Sequence, residues 1–241
     1  MKLKTAIIIP IKRISNSKSR LSTLLDNQER IKLTELLISD LIEKTRRIEN
    51  SQSIIVCSEK ITQLDKYKDI IILREGNSNG VNNAIRIADR FIDDGNDDEG
   101  GKGFSESLII PIDLPLLSVS TLNEIIKYSR KFSKFVGIVP SKRFDGTNIL
   151  LRKPCSIINT FYDNNSYYNH VKTAKEKGLK TEIFDFENLM LDIDTLDDIT
   201  AAIEKYEKQR LKDILPESSE IKSISYLREK ILDKTFENKK T

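Results

Sequence analysis

The stretch Ser107-Leu-Ile-Ile-Pro-Ile-Asp113-Leu-Pro-Leu-Leu117 places a single carboxylate directly after an apolar run. Such a run is typical of a buried strand in a parallel sheet, and Pro115 cannot continue the hydrogen-bond ladder. We therefore expect Asp113 at the carboxyl end of a central strand, in the crevice where open α/β sheets bind ligands. A lone carboxylate is costly to bury there, whereas Mg²⁺ takes one or two carboxylates together with nucleotide phosphates. The alternative is that Asp113 caps a loop or the next helix.

Strand-like and helix-like patterns alternate along most of the chain. Apolar runs predict strands, and apolar residues at helical spacing predict helices between them. The predicted strands cover residues 6–9, 53–56, 70–73, 108–112, 135–139, 149–151 and 181–186, and the predicted helices cover 30–47, 81–91, 121–132, 167–176 and 195–212. This alternation predicts the α/β class, with a Rossmann-like, mostly parallel sheet that carries helices on both faces.

Two segments are predicted to lie outside that pattern. Residues 1–212 would form the main domain, and residues 213–241 a charged helical extension. Within the extension, residues 221–232 are amphipathic and could pack on the core, pack on a second subunit of a homodimer, or be partly disordered. Residues 93–103 are polar and rich in glycine, which indicates a mobile surface loop.

Composition excludes several classes of protein. The 241 residues carry 40 basic and 37 acidic side chains, and a net charge of +3 is too small to indicate nucleic acid as the main partner. One histidine and two cysteines argue against a structural zinc site. No apolar stretch approaches the roughly 18 residues of a membrane span, and the first apolar run is too short for a signal peptide. We expect a soluble, cytoplasmic protein.

Four cations follow the first predicted strand. Lys12, Arg13, Lys18 and Arg20 fall within nine residues, with hydroxyl and amide side chains between them. The first glycine of the chain is Gly76, which excludes a glycine-rich phosphate loop after the first strand. The cluster therefore suits a triphosphate held by side chains. The alternative is a solvated basic loop.

A second acidic motif precedes the last helix of the main domain, in Leu191-Asp192-Ile-Asp194-Thr-Leu-Asp197-Asp198. Asp194 or Thr195 could cap that helix, with further carboxylates in its first turn. Capping does not account for Asp192. One of Asp192 and Asp194 could join Asp113 in holding Mg²⁺, which is an arrangement typical of proteins that handle nucleotides.

Short polar side chains mark a candidate anion site. Gly146-Thr147-Asn148 precedes a predicted strand, where glycine permits a close approach and its neighbours offer donors. Ser166 stands where a helix begins, and a helix N-terminus favours phosphate. The alternatives are a simple N-cap for Ser166 and a packing role for His170.

The Gly76–Asn83 segment also precedes a predicted helix. Glycine and asparagine favour turns, so an ordinary turn is one interpretation. The other is a loop over a nucleobase, in which Asn82 contacts a polar edge of the base.

Taken in order, these motifs resemble the CofC family, the 2-phospho-L-lactate guanylyltransferases of coenzyme F(420) biosynthesis. The resemblance extends over roughly residues 6–203. It rests on Ile9-Pro-Ile-Lys12, Lys18-Ser-Arg20-Leu21, Glu29-Arg30, Gly80-Val-Asn82, Asp113-Leu-Pro-Leu-Leu117, Gly146-Thr-Asn148, Ser166 with His170, Ala174 with Gly178, and Asp192-Ile-Asp194-Thr195 with Asp198.

The resemblance implies a MobA-like fold, similar to nucleotide-diphospho-sugar transferases, and transfer of GMP from GTP to 2-phospholactate with release of pyrophosphate. Related members use phosphoenolpyruvate or 3-phosphoglycerate. The implied site has Mg²⁺ on Asp113 with Asp192 or Asp194; phosphate contacts from Lys12, Lys18 and Arg20; nucleotide contacts from Gly80 and Asn82; and a small phospho-carboxylic acid at Thr147, Asn148, Ser166 and His170. The chain departs from the family at Tyr162-Asp-Asn-Asn-Ser166, where the family has a glycine-rich turn. Asparagine can keep such a turn, whereas Asp163 adds negative charge.

Three other functions fit parts of the pattern. Molybdopterin guanylyltransferases and sugar-phosphate nucleotidyltransferases typically carry a glycine-rich loop after the first strand, which is absent here. Metal-dependent glycosyltransferases share an Asp-x-Asp motif, but usually in mid-chain rather than before the last helix. A nucleotide-binding module without activity would not need two distant metal carboxylates.

Overall fold

The computed structural model describes residues 4–14, 17–76, 80–94, 103–211 and 220–237. The strands are β1 (Lys4–Ile11), β2 (Ser51–Cys57), β3 (Ile71–Arg74), β4 (Phe104–Ile109), β5 (Phe135–Pro140), β6 (Thr147–Lys153) and β7 (Lys180–Ile183). The helices are α1 (Asn27–Thr45), α2 (Val81–Asp94), α3 (Val119–Ser129), α4 (Ser166–Glu176), α5 (Leu196–Leu211) and α6 (Lys222–Glu237). The predicted alternation of strands and helices is confirmed.

The strands form one sheet in the order β3-β2-β1-β4-β6-β5-β7. Neighbours pair in parallel except at β6, which runs antiparallel to both β4 and β5. The predicted mostly parallel sheet is therefore confirmed. Because β6 is reversed, its amino end lies at the same edge of the sheet as the carboxyl ends of β1 and β4. That edge carries the candidate site.

Helices cover both faces of the sheet, as predicted. On one face, α1 and α3 bury apolar side chains such as Ile38 and Ile125. On the other face, α2 and α4 bury Ile85 and Ala174. The central strands therefore read as continuous apolar runs, since both of their faces are covered.

The strand predicted over residues 108–112 ends earlier, at Ile109. Ile110 N–H still donates to Ile8 O at 3.0 Å, but Pro111 has no N–H with which to continue the ladder. Asp113 consequently lies in a turn beyond the strand rather than at its last residue. Ile193 N–H holds this turn by donating to Asp113 O at 3.0 Å.

The amphipathic segment near the C-terminus packs on the core of its own chain. Ile224 and Leu227 of α6 are fully buried in a cluster with Leu33 of α1. Asp40 of α1 accepts hydrogen bonds from Ser223 N–H at 2.9 Å and from Ser223 Oγ at 2.7 Å. The side chain of Asp40 thus satisfies a backbone donor at the start of α6.

The predicted surface loop at residues 93–103 lies largely outside the described residues, which stop at Asp94 and resume at Gly103. Within the described parts of the chain, we find no helix with the length and apolar character that a membrane crossing requires.

Candidate active site

A cleft of about 1180 Å³ opens at the edge of the sheet where β1 and β4 end and β6 begins. Most of the residues singled out in the sequence line it, among them Lys12, Asp113 and Thr147. Two others, Asn82 and His170, do not line the cleft but contact residues that do, Asp163 and Thr147 respectively. The cleft is lined by charged side chains of both signs.

Lys18 lies in the middle of the acidic residues. Its ammonium group donates to Asp113 Oδ2 at 2.9 Å, to Asp194 Oδ1 at 3.1 Å and to the carbonyl oxygen of Ile193. The side chain is only 5% exposed, and burial alone would lower the pKa of Lys18. The two carboxylates outweigh burial, and the net effect is a raised pKa.

The predicted contact of Lys18 with a phosphate stays a prediction, and the hydrogen bonds of its ammonium group bear on it. An ammonium group has three N–H donors, and all three are used within the protein. In this arrangement Lys18 ties two distant acidic segments together and has no donor left for a phosphate. Sequence alone could not reveal this, because Lys18 and Asp194 meet only through the fold.

The three carboxylates of the predicted metal site are in different environments. The pKa of Asp192 is raised to about 6, first by burial and then by the charge of the nearby Asp113. Asp194 is also buried, which opposes ionisation, but Lys18, Arg20 and Arg143 together outweigh burial and lower its pKa. Arg20 reaches Asp194 at 3.4 Å from a largely exposed position.

The surroundings of the three carboxylates decide whether the site suits a divalent cation. In the described ranges, no three side chains of the metal-binding types lie close enough to form a ready-made metal cluster. Asp194 is neutralised by Lys18 and Arg20. Asp113 shares the Lys18 ammonium group with Asp194, at 2.9 Å, whereas no ion pair is found for Asp192 among the described residues. Asp113 and Asp192 both line the cleft, and the charge of Asp113 contributes to the raised pKa of Asp192. Two carboxylates that leave room for phosphate oxygens are a donor set that Mg²⁺ accepts.

Asp198 and Thr195 form the cap of α5 rather than part of that acidic pair. Asp198 Oδ2 accepts from Thr195 N–H at 2.8 Å and from Thr195 Oγ1 at 2.7 Å, and Asp198 N–H donates back to Thr195 Oγ1 at 3.3 Å. Thr195 is therefore the residue that caps α5. Of the two predicted roles of this motif, helix capping falls to Thr195 with Asp198, and the predicted metal role concerns the residues before them. Asp192 precedes the cap in an irregular segment between β7 and α5.

Thr147 and Ser166 lie together at the far end of the cleft. Thr147 N–H donates to Ser166 Oγ at 2.7 Å, which couples the start of β6 to the first turn of α4. Asn165 takes the left-handed conformation at φ 41°, so the turn survives without glycine, and its side chain makes no capping bond. The amino end of α4 thus faces the cleft without a side-chain cap.

His170 lies behind Thr147 and is fully buried. Phe161 N–H donates to Nε2 at 2.9 Å, so the proton must sit on Nδ1, which lies 2.9 Å from Thr147 Oγ1. Burial, followed by the charge of Arg152, lowers the pKa of His170 to about 4 and keeps the ring neutral. The predicted contact of His170 with substrate stays a prediction; in this placement both ring nitrogens are used inside the protein.

The hydrogen bond from His170 leaves the hydroxyl hydrogen of Thr147 available to another acceptor. The hydroxyl of Thr147 accepts from His170 Nδ1, and the hydroxyl of Ser166 accepts from Thr147 N–H. Each hydroxyl keeps its own hydrogen for a further acceptor. Two O–H donors therefore converge at one end of the cleft.

Asn82 and Asn148 both have structural partners. Asn82 Nδ2 donates to Asp163 Oδ2 at 2.6 Å, and Tyr162 N–H donates to Asn82 Oδ1 at 2.9 Å. Each end of the Asn82 amide thus has one internal partner, which leaves a second N–H on Nδ2 and a second lone pair on Oδ1. Its predicted contact with a base stays a prediction. Asn148 Nδ2 donates to Leu189 O at 2.9 Å and so supports the segment that carries Asp192. Gly80, at φ 138°, lines the cleft at the start of α2.

Cations that sequence reasoning did not single out also reach the cleft. Lys142 and Arg143 lie in the hairpin between β5 and β6, directly before Gly146-Thr-Asn148. Arg143 lies 3.8 Å from Asp198. Among the described residues, Lys12 has no carboxylate within ion-pair distance, so it is a cleft cation without an internal counter-charge. In the sequence, the position of Lys142 four residues before Gly146-Thr-Asn148 is the feature that could have indicated its place in the cleft.

The family is decided by a match along nearly the whole chain. The model of the family described as "Guanylyl transferase CofC like" matches residues 5–232. This chain belongs to the CofC-like guanylyl transferase family. The matched range includes most of α6, so in CofC-like proteins the family pattern extends beyond the motifs singled out above.

Curated relatives agree with membership of the CofC-like family. The chain is 30% identical over 193 residues to 2-phospho-L-lactate guanylyltransferase of Methanobrevibacter smithii, covering 80% of each chain. It is 30% identical over 200 residues to the enzyme of that name from Methanocaldococcus jannaschii, covering 82% of this chain and 81% of the relative.

The fold is shared with nucleotidyltransferases of other kinds. A Desulfovibrio desulfuricans structure described as a nucleotide-diphospho-sugar transferase has a TM-score of 0.67 at 14% identity, covering 94% of this chain and 95% of that one. The 4-diphosphocytidyl-2C-methyl-D-erythritol synthase of Anaerococcus prevotii has a TM-score of 0.51 at 13% identity, covering 85% and 96%. At these identities the likeness concerns the fold alone.

Proposed function

We propose that the chain is a cytoplasmic guanylyltransferase that transfers GMP from GTP to 2-phospho-L-lactate and releases pyrophosphate, in coenzyme F(420) biosynthesis. Phosphoenolpyruvate is the next acceptor in order of preference. The observation that carries the proposal is the convergence, in one cleft, of the Asp113–Asp192 pair with the hydroxyl donors of Thr147 and Ser166. Family membership and the names of the relatives support the reaction type.

The cleft divides into regions with different chemistry. Asp113 and Asp192 would hold Mg²⁺, and Lys18 would keep the segments that carry them in place through its bonds to Asp113 and Ile193. A bound Mg²⁺ would neutralise charge on the phosphates as the bond to the leaving group breaks. Lys12 and Arg20, both exposed at the mouth, would steady the departing pyrophosphate.

The acceptor would bind at the opposite end of the cleft. Thr147 and Ser166 would donate their free hydroxyl hydrogens, and the uncapped amino end of α4 would donate backbone N–H groups to an anionic oxygen. A small molecule with one phosphate and one carboxylate offers two such anionic groups. His170 would act through Thr147 by fixing the direction of its hydroxyl.

The reaction would need no general base. A phosphate monoester has a second pKa near ~6 and is mostly ionised at neutral pH, so its oxygen can attack the α-phosphorus directly. A new P–O–P bond would form as the α–β bond breaks, with the electron pair leaving on pyrophosphate. Positioning and charge neutralisation would supply the rate enhancement. A buried, neutral His170 fits this chemistry.

The test is an acceptor panel with GTP and Mg²⁺, with pyrophosphate release as the readout. We expect release with 2-phospho-L-lactate or phosphoenolpyruvate, and little with glucose 1-phosphate. Turnover with the sugar phosphate alone would refute the acceptor class while leaving a nucleotidyltransferase in place. The requirement for Mg²⁺ is tested in the same assay by chelation and by replacement with Mn²⁺ or Ca²⁺.

A further inference from the structure

A third region of the cleft is lined by residues that follow β2 and β3, on the side of β1 away from β4 and β6. Ser58, directly after β2, and Glu75, directly after β3, line it together with Gly80 and Val81 at the start of α2. If the acceptor occupies the Thr147 end and the triphosphate the middle, the base of the nucleotide must fall here. This step rests on the proposed function.

Glu75 is the unusual residue of this region because it is a buried carboxylate that faces a cleft. It is 8% exposed, and its position is fixed by Glu75 N–H, which donates to Cys57 O at 3.0 Å. Its Oε1 accepts from Asn83 Nδ2 at 2.8 Å. Among the described residues no Lys or Arg forms an ion pair with it, and no second donor reaches it.

A buried carboxylate with one neutral donor is poorly satisfied. Ionised carboxylates offer about four lone-pair positions, and burying a charge is costly unless it is paired and hydrogen-bonded. Glu75 lines the cleft, and its carboxylate has lone pairs that accept no hydrogen bond from the described residues. A ligand with adjacent N–H donors would satisfy it.

We infer that Glu75 selects guanine by accepting hydrogen bonds from its N1–H and from its exocyclic 2-amino group. Guanine carries these two donors side by side on its Watson–Crick edge, and a carboxylate can accept both. Adenine and cytosine present an acceptor beside a donor on that edge, and uracil presents one donor between two acceptors. Each would place at least one lone pair against the carboxylate. Asn83 would keep the carboxylate in the orientation that receives the base.

The experiment compares the binding of GTP, ITP and ATP with Mg²⁺ and without acceptor, by titration calorimetry. ITP keeps N1–H but lacks the 2-amino group, so it reports on one of the two contacts. We expect wild-type protein to bind GTP about 10- to 100-fold more tightly than ITP, the range of a good bidentate contact to a base. In Glu75→Gln this ratio should fall to within about threefold of one, since an amide replaces one acceptor by a donor.

Two further variants separate recognition from folding. Glu75→Asp keeps the carboxylate and should retain part of the preference for GTP over ITP, whereas a purely structural role would give it no such advantage over Glu75→Gln. Glu124→Gln removes a charge from an exposed position of α3 and should leave the ratio unchanged. Thermal melts of all three variants check the fold.

The outcomes distinguish this inference from the proposed function. If wild type prefers GTP and Glu75→Gln keeps the full preference, the inference about Glu75 is overturned and the guanylyltransferase proposal stands. If wild type does not prefer GTP at all, both are overturned. Loss of the GTP preference in Glu75→Gln, with partial recovery in Glu75→Asp, supports both.

Discussion

The ammonium nitrogen of Lys18 lies 2.9 Å from Asp113 Oδ2, although 95 residues separate them in the sequence. The same nitrogen contacts Asp194, 176 residues away. One buried cation thus joins the loop after β1, the turn after β4 and the segment before α5. The acidic side of the cleft depends on this contact for its shape and for its charge balance.

Replacing Lys18 with methionine should lower kcat by about 100-fold or more, because Asp113 and Asp194 would lose their shared partner and their positions. The dissociation constant of GTP should change by less than about threefold, since no N–H of Lys18 is left for a phosphate. Binding and single-turnover rates measured separately check this. A large loss of GTP affinity with an intact rate would instead mean that Lys18 turns toward the phosphates.

Asp113→Asn should leave the fold intact and reduce turnover by roughly 10³-fold, through loss of a metal ligand worth several kcal/mol in the transition state. The assay is pyrophosphate release at saturating GTP and acceptor. Asp197→Asn is the matched control, because Asp197 is exposed in the first turn of α5. Activity of Asp113→Asn within tenfold of wild type would remove Asp113 from the metal site.

The raised pKa of Asp192 predicts a pH-dependent effect on stability. Its folded-state pKa of about 6 lies above the ordinary value, so the folded protein binds the proton more tightly. The stabilisation that comes from this proton is present at low pH and is lost as pH rises through about 6. Above that pH, the ionised Asp192 destabilises the protein that carries no metal.

Asp192→Asn should therefore raise the free energy of unfolding by about 1–2 kcal/mol near pH 8 and by much less near pH 4, a range discounted for partial solvent screening. Urea titrations of metal-free protein at both pH values check the difference. Equal changes in the free energy of unfolding at both pH values would show that ionisation of Asp192 does not destabilise the folded protein. With Mg²⁺ present, the advantage of the variant at high pH should disappear.

Ser166→Ala and Thr147→Val should raise the KM for the acceptor by about 10-fold or more each, as expected for lost hydrogen bonds to a charged group. The dissociation constant of GTP should stay within about twofold, because these hydroxyls lie at the other end of the cleft. Thr200→Ala, on the exposed side of α5, is the control. If GTP affinity falls and the acceptor KM does not, the two ends of the cleft have been assigned in the wrong order.

Ile224→Ala should destabilise the protein by about 2–4 kcal/mol, because Ile224 of α6 is fully buried against the core. Leu232→Ala on the same helix should cost less than about 0.5 kcal/mol, since Leu232 is 49% exposed. Thermal and urea unfolding measure both, and kcat for well-folded Ile224→Ala should match wild type. Equal, small effects would mean that α6 does not dock on α1 in solution.

Local patterns in the sequence were enough to predict the layers of the fold. Apolar runs and helical spacing are local properties, so the alternation and both covered faces followed directly. The position of Asp113 was predicted less well, because the strand ends where Pro111 lacks an N–H. The reversal of β6 could not be predicted, since nothing local distinguishes an antiparallel neighbour inside a mostly parallel sheet.

The candidate site was predicted as a set of residues rather than as an arrangement. Lys18 and His170 were both assigned to ligands, yet their donors and acceptors are used inside the protein. These internal hydrogen bonds join residues far apart in sequence, so they could not be predicted from local patterns. Glu75 went unnoticed because a single glutamate after a short strand has no motif around it. Its burial beside an open cleft becomes visible only in the fold.

Isotope tracing shows whether the acceptor's phosphate oxygen attacks the α-phosphorus of GTP. 2-Phospho-L-lactate carrying ¹⁸O in its non-bridging phosphate oxygens is incubated with GTP, Mg²⁺ and enzyme, and the products are separated by mass. We expect all of the label to stay in a guanylylated product, with one labelled oxygen in the new P–O–P bridge, and the released pyrophosphate to be unlabelled. Label in pyrophosphate or inorganic phosphate, or GMP formed without a labelled adduct, would rule out this attack.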